Sequence, residues 1–351
     1  MLVKQIKNKK FLENTINELK KDNPSADIQL LEKTIGALYL VESLSNHNLE
    51  FIFKGGTSLV LLLENLKRFS VDVDIITEES KESVKEKIDN IISEQTLFIR
   101  VEQNIRVNSA SKRMDLEHYK FFFNSITDGS EKYILLDVAY ESNKYPVIIN
   151  KRIECNDLGI HSNLSVNLPS IESILGDKLT VLAPYSTGIS YNSDKELELM
   201  KQLYDVDKLF NAAMNIEIIK KSFINIATRE INYRKLLELT YEDVLNDIEG
   251  FAKDIIFMTN KEHVNKINIG MKKLSGFRIE KKFLIDKEVL TAASKVLYLV
   301  FLLRRNEKII EKYKNNTKIM EIPIPIEMKK RMRVIRKMNP EAYFYITKTI
   351  V

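Results

Sequence analysis

Two glycines stand side by side at Gly55-Gly56 in a chain that has only ten, and Asp72-Val73-Asp74 follows after a gap of fifteen residues. The apolar segment Phe51-Ile52-Phe53 reads as a strand that ends at the glycines, with Thr57 or Ser58 capping a helix that begins in Ser58-Leu59-Val60. A second strand is expected over 71–76, where β-branched residues alternate with acids. Residues two apart on a strand share a face about 6–7 Å apart. Val71, Val73 and Ile75 then make one apolar side, and the side that carries Asp72 and Asp74 must be wet or occupied by cations.

Two carboxylates held that close are costly unless a cation sits between them, and divalent ions in phosphoryl-transfer sites meet that need. Magnesium suits oxygen ligands and binds substrate phosphates at the same time, as one ion or two. Glycines without a Cβ let backbone approach a phosphate, and a helix start offers free N–H groups. Taken separately, a glycine pair is commonly just a turn and Asp-x-Asp a solvated edge. The order and spacing of the two together favour a phosphate and metal site.

Helices are expected over 10–22 and 28–46, and strands over 96–107, 119–123, 133–140 and 146–153. Beyond Pro169 the spacing is helical over 170–183, 195–213, 215–238, 241–258, 261–275 and 287–314. The expected fold is α+β, a mixed sheet with helices over 1–160 followed by an all-helical domain over 161–351, with the boundary where Gly159, Ser162 and Asn163 gather. A chain of 351 residues exceeds what one core usually supports. One cysteine, Cys155, excludes an intramolecular disulfide and a Cys-rich zinc site, and a reducing cytoplasm is the expected location. The basic N-terminus leads into no sustained apolar stretch, so no export signal is expected, and the apolar runs fall well short of the roughly 20 residues of a membrane span. His47, His118, His161 and His263 show no spacing that suggests a ligand set.

Lys54-Gly55-Gly56-Thr57-Ser58-Leu59, taken with Arg68-Phe69-Ser70-Val71-Asp72-Val73-Asp74, resembles the AbiEii/AbiGii toxin family within the DNA polymerase β-like nucleotidyltransferase superfamily. The gap between the glycines and the acids is longer than in the broad superfamily, a departure shared with the toxin-like branch it resembles. The resemblance implies a Mg²⁺-dependent transfer of a nucleoside monophosphate from an NTP, with Lys54, Gly55, Gly56, Thr57, Ser58, Arg68 and Ser70 around the triphosphate and Asp72 and Asp74 on the metal. It implies a third carboxylate on a later strand, where Asp137 interrupts the apolar run Tyr133–Val138 as metal ligand or general base; a structural salt bridge is the alternative and Glu141 the fallback. It also implies a lysine on a helix after the sheet, matched by Lys178 on an apolar stripe, and an aspartate in the helix 195–213. Asp205 is the first choice for that aspartate, and Asp207, which periodicity puts on the apolar face, the second.

For biology the resemblance implies the toxin of a toxin–antitoxin pair in phage defence, with a cognate antitoxin and an RNA such as tRNA as acceptor. Residues 328–338 hold six basic side chains, and Tyr343-Phe344-Tyr345 follow. They could supply phosphate contacts and base stacking, or form an amphipathic helix with the aromatics packed beneath it. A binding module of the same fold without turnover, and transfer to a small molecule or a protein hydroxyl, are the competing readings.

Overall fold

A computed structural model describes residues 6–94, 97–103, 115–279, 285–314, 317 and 326–350. Two compact units emerge, Met1–Ser170 with Gly276–Lys281, and Ile171–Ser275 with Lys282–Val351.

The first unit is built on a seven-stranded mixed sheet. In chain order its elements are α1 (Lys9–Asp22), α2 (Ile28–Asn46), β1 (Ile52–Lys54), α3 (Gly55–Leu62), β2 (Val73–Thr77), α4 (Lys81–Ser93), β3 (Arg100–Gln103), β4 (Leu116–Asn124), β5 (Glu131–Tyr140), β6 (Ile148–Cys155) and β7 (Ile160–Pro169). The strands lie in the order β3-β4-β5-β2-β1-β7-β6, with β2/β5 and β1/β7 parallel and the other pairs antiparallel. One face carries Phe53, Val73, Ile75, Leu136 and Val138, all fully buried, and α2 packs against β2, β5 and β7. Alternation along β2 therefore puts Asp74 on the other face.

Several elements differ from the sequence expectation, among them the helix expected over 287–314, which ends at Arg305. The sequence puts a domain boundary near 156–167, where Gly159, Ser162 and Asn163 gather, yet Ile160, Ser162, Val166 and Leu168 alternate inward, and 160–169 is the strand joining β1 to β6. Period-two burial outweighs turn composition there, and the first unit runs on to Ser170. Helix α4 had no counterpart in the strand pattern; Ser80 caps it and Val84, Ile88 and Ile91 form its buried stripe. Of the strand expected over 96–107, Arg100–Gln103 is observed, while 96 and 104–107 lie outside the described residues.

Gly276–Lys281 returns from the helical half of the chain to the first unit. The Phe69 N–H donates to the Phe277 carbonyl (2.7 Å), Ile279 N–H to Lys67 (3.1 Å), and Asn23 Nδ2 to Arg278 (2.6 Å). These bonds pin the loop that leads into β2.

The second unit contains α5 (Ile171–Thr180), α6 (Glu196–Ala212), α7 (Ile216–Arg234), α8 (Tyr241–Phe257), α9 (Lys261–Leu274), a π turn (Ile285–Val289), α10 (Leu290–Arg305), α11 (Ile326–Met338) and α12 (Pro340–Thr347). No helix among the described residues is long and apolar enough to cross a membrane.

Helix α6 buries two aspartates. Asp207 accepts from Lys295 of α10 (2.7 Å) and lies 3.3 Å from Lys208; Lys295 also reaches Asn211 (2.9 Å) and Glu341 (3.2 Å). Burial alone would raise the Asp207 carboxyl and lower the Lys295 ammonium, but their mutual attraction prevails, holding the acid below its usual value near 3.8 and the base above 10.5. The Asp207 contribution to stability is thus present above the unfolded carboxyl pKa and lost as pH falls through the lower folded value. The Lys295 contribution is present below 10.5 and lost as pH rises through the higher folded value. Asp207→Asn leaves a buried ammonium without its main counter-charge and should cost about 3–5 kcal/mol in urea unfolding at pH 7. Part of the acid-side loss of stability expected of the wild type should be absent in the variant. A cost below about 1 kcal/mol would show the pair to be dispensable.

Candidate active site

Helix α3 begins at Gly55 itself, with Lys54 in the N-cap position and no side chain capping. Thr57 and Ser58, expected as caps, instead lie inside the first turn and are fully buried. Their hydroxyls are used internally. Thr57 Oγ1 donates to the Asp72 carbonyl and sits 2.8 Å from Ser70 Oγ, and Ser58 Oγ donates to the Gly55 carbonyl (2.9 Å). The helix start is thereby tied to the residues just before β2.

The glycines are required by what lies against them. Gly55 has φ +77°, and a Cβ there would overlap the Asp74 carboxylate, 2.8 Å from its Cγ. A Cβ on Gly56 would lie 2.6 Å from Arg68 Nη2 and 3.0 Å from Ser70 Oγ. Arg68 is buried, donates through Nη1 to the Phe69 carbonyl (2.9 Å), and belongs to the loop pinned by 277–279. An acid and a guanidinium therefore pack directly on the turn where β1 becomes α3.

Strand register arranges the remaining groups in a row. Lys54 of β1 lies opposite Asp74 of β2, Asp74 opposite Asp137 of β5, and Asp137 opposite His118 of β4. Neighbouring strands are about 4.8 Å apart, so the two aspartates stand side by side on the polar face. His118 Nδ1 lies 2.7 Å from Asp137 Oδ1, with the imidazole buried and the carboxylate one-quarter exposed. Because an ionised carboxylate only accepts, Nδ1 carries the proton in that bond. Asp72 precedes β2 and is exposed; its charge reaches Lys33 of α2, whose ammonium burial lowers and Asp72 partly restores.

Asp72, Asp74 and Asp137 are hard oxygen donors of the kind Mg²⁺ prefers, and two of them are neighbours in register. Among the described residues, however, no three His, Cys, Asp or Glu side chains are already disposed to hold a metal, and Asp137 Oδ1 is turned to His118. The donor chemistry fits the ion, with side-chain rotation needed to gather the ligands.

In the second unit, Lys178 and Asp205 meet each other. Lys178 Nζ lies 2.8 Å from Asp205 Oδ2 and 2.9 Å from Gln202 Oε1, and both charged side chains are buried. Asp207 belongs to the separate Lys295 pair described above. At the C-terminus, Lys329, Lys330, Arg333, Arg336 and Lys337 of α11 are exposed, whereas Arg331 Nε donates to the Ile256 carbonyl (2.9 Å). Tyr343, Phe344 and Tyr345 are buried, Tyr345 packing edge-on against Phe210 at 5.2 Å, so base stacking by these rings is ruled out in favour of packing beneath the helix.

His118, Lys33 and the returning segment 276–279 are the parts of the site that motif reading missed. His118 could have been found from hairpin register. The turn-rich Ser125-Ile126-Thr127-Asp128-Gly129-Ser130 pairs Asn124 with Glu131, and counting back from there sets His118 opposite Asp137.

No curated protein matches the sequence. Among solved structures, that of JHP933 from Helicobacter pylori is similar at a TM-score of 0.46 and 14% identity, covering 80% of this chain and 94% of that one. An antigenic nucleotidyltransferase-like protein from Paracoccidioides brasiliensis is similar at a TM-score of 0.36 and 13% identity, covering 59% and 93%. The profile of the nucleotidyl transferase AbiEii toxin family, from type IV toxin–antitoxin systems, matches residues 38–266, a span that takes in the glycine pair, Asp72, Asp74, Asp137, Lys178 and Asp205. The chain belongs to this AbiEii nucleotidyltransferase toxin family.

Proposed function

We propose that the protein transfers a nucleoside monophosphate from an NTP to a hydroxyl of an RNA such as tRNA, and that this reaction makes it the toxin of a pair silenced by a cognate antitoxin. The observation that carries the reading is the side-by-side placement of Asp74 and Asp137 on the polar face of the sheet, next to a glycine turn that opens a helix. Asp72, Asp74 and Asp137 would hold Mg²⁺, which when bound supplies charge neutralisation at the triphosphate. Lys54, the N–H groups of Gly55 and Gly56, and Arg68 supply positive potential for the leaving pyrophosphate. Thr57, bonded to Ser70 and to the Asp72 carbonyl, acts in this reading by holding the turn to the residues before β2, and Ser58 by closing the turn onto the Gly55 carbonyl. An acceptor oxygen bonds to the α-phosphorus, the bond from that phosphorus to the β-phosphate oxygen breaks, and the acceptor proton passes to Asp137. In the second unit, Asp205 orients Lys178 for an anion, as the family resemblance implies.

Three experiments test this. With labelled NTP, Mg²⁺ and total RNA, Asp74→Asn and Asp137→Asn should each lower transfer by about 100-fold or more; near wild-type transfer by either would remove it from the chemistry. Gly55→Ala forces a left-handed φ on a residue with a Cβ, at about 1–2 kcal/mol, and turns the Asp74 carboxylate away. Transfer should fall far more than stability does, and a parallel small loss in both would mean that the close packing serves only the fold. Arg333→Glu with Arg336→Glu should weaken RNA use and flatten its salt dependence while leaving the KM for NTP unchanged. A change confined to the NTP KM would assign the exposed face of α11 elsewhere.

A further inference from the structure

The imidazole that meets Asp137 lies outside the glycine and aspartate residues on which the resemblance rests. His118 comes from the neighbouring strand, directly across the β4/β5 ladder from Asp137, with Nδ1 donating to Oδ1 at 2.7 Å. Its side chain is 8% exposed, against 25% for the carboxylate it holds. On the other side of Asp137, in register on β2, stands Asp74. Two carboxylates side by side on strands about 4.8 Å apart repel, and each has rotamers that relieve the repulsion by swinging away. A hydrogen bond from a buried donor on the far side removes that freedom from one of them. It fixes one Asp137 oxygen toward β4 and disperses part of the carboxylate charge, so that the second oxygen is presented in one orientation.

We infer that His118 is a positioning residue, which sets the orientation of Asp137 for metal binding and for receiving the acceptor proton. The inference rests on the nucleotidyl-transfer reading for its second part, and on the geometry of three neighbouring strands for its first. Groups that orient a ligating carboxylate commonly matter by about 10- to 100-fold in affinity or turnover. An asparagine at the same position keeps an N–H donor close to where Nδ1 lies, whereas alanine removes it.

The test uses the full chain carrying His118→Ala or His118→Asn, with Mn²⁺ as the metal probe. Melting temperatures are recorded so that transfer and binding are compared at temperatures where each variant is folded. In His118→Ala, kcat for label transfer should fall about 10- to 100-fold with the NTP KM within about twofold, and Mn²⁺ affinity measured by electron paramagnetic resonance without NTP should fall over a similar range. His118→Asn should recover most of both. Wild-type kcat and Mn²⁺ affinity in His118→Ala would overturn the inference, as would an asparagine variant no better than alanine. Failure of the underlying reading looks different: the wild type would bind Mn²⁺ in a manner that depends on Asp74 and His118, which supports the positioning role, yet transfer no label. If the wild type shows neither metal binding nor transfer, both are overturned.

Discussion

Everything at the candidate site depends on the absence of a Cβ at Gly55. There the chain leaves β1 in a left-handed conformation and enters α3 without an intervening loop, and the space a side chain would fill is taken by the Asp74 carboxylate. A negative group is thereby packed against the amino end of a helix, where the macrodipole favours it, and is simultaneously held one strand away from Asp137. Gly56 repeats the device for the Arg68 guanidinium. The glycines thus do more than allow a ligand near the backbone; they let an acid and a base of the chain itself close over the turn.

Such packing needs its partners held still. Thr57 ties α3 to Ser70 and to the Asp72 backbone, and the segment 277–279 pins Phe69 and Lys67 from the other side. That second restraint comes from more than two hundred positions further along the sequence, so the loop before β2 is fixed by a part of the chain that otherwise runs with the helical unit. The buried pairs on α6 follow the same logic within the second unit. Lys178 with Asp205, and Lys295 with Asp207, allow charged side chains to lie inside a helical core, where neither partner alone would be tolerated.

Much of this was legible in the residues. The glycine turn, the polar face of β2 and the helical second half follow from local signals: two adjacent glycines, acids alternating with β-branched residues, and apolar spacing of three and four. Asp137 stood out because a lone acid in an apolar strand needs a partner. What stayed hidden is non-local. The partner of Asp137 depends on how β4 and β5 align, the contact of Asp205 with Lys178 on how α5 and α6 pack, and the anchor of Arg68 on a return of the chain that no period marks. The strand at 160–169 was obscured for a different reason: glycine, serine and asparagine there carry a turn composition, while the alternation of Ile160, Val166 and Leu168 carries the structure. The buried Tyr343, Phe344 and Tyr345 make the same point, since an aromatic run beside a basic one looks like a stacking surface until its packing is known.

The central claim is that the paired aspartates beside the glycine turn direct attack at the α-phosphorus of an NTP. Parallel reactions with NTP labelled at the α- or the γ-phosphate, in the presence of total RNA, test it most directly. The account predicts that the α-label becomes attached to RNA while the γ-label leaves in pyrophosphate. Attachment of the γ-label would contradict it, because that outcome requires attack at the far end of the triphosphate.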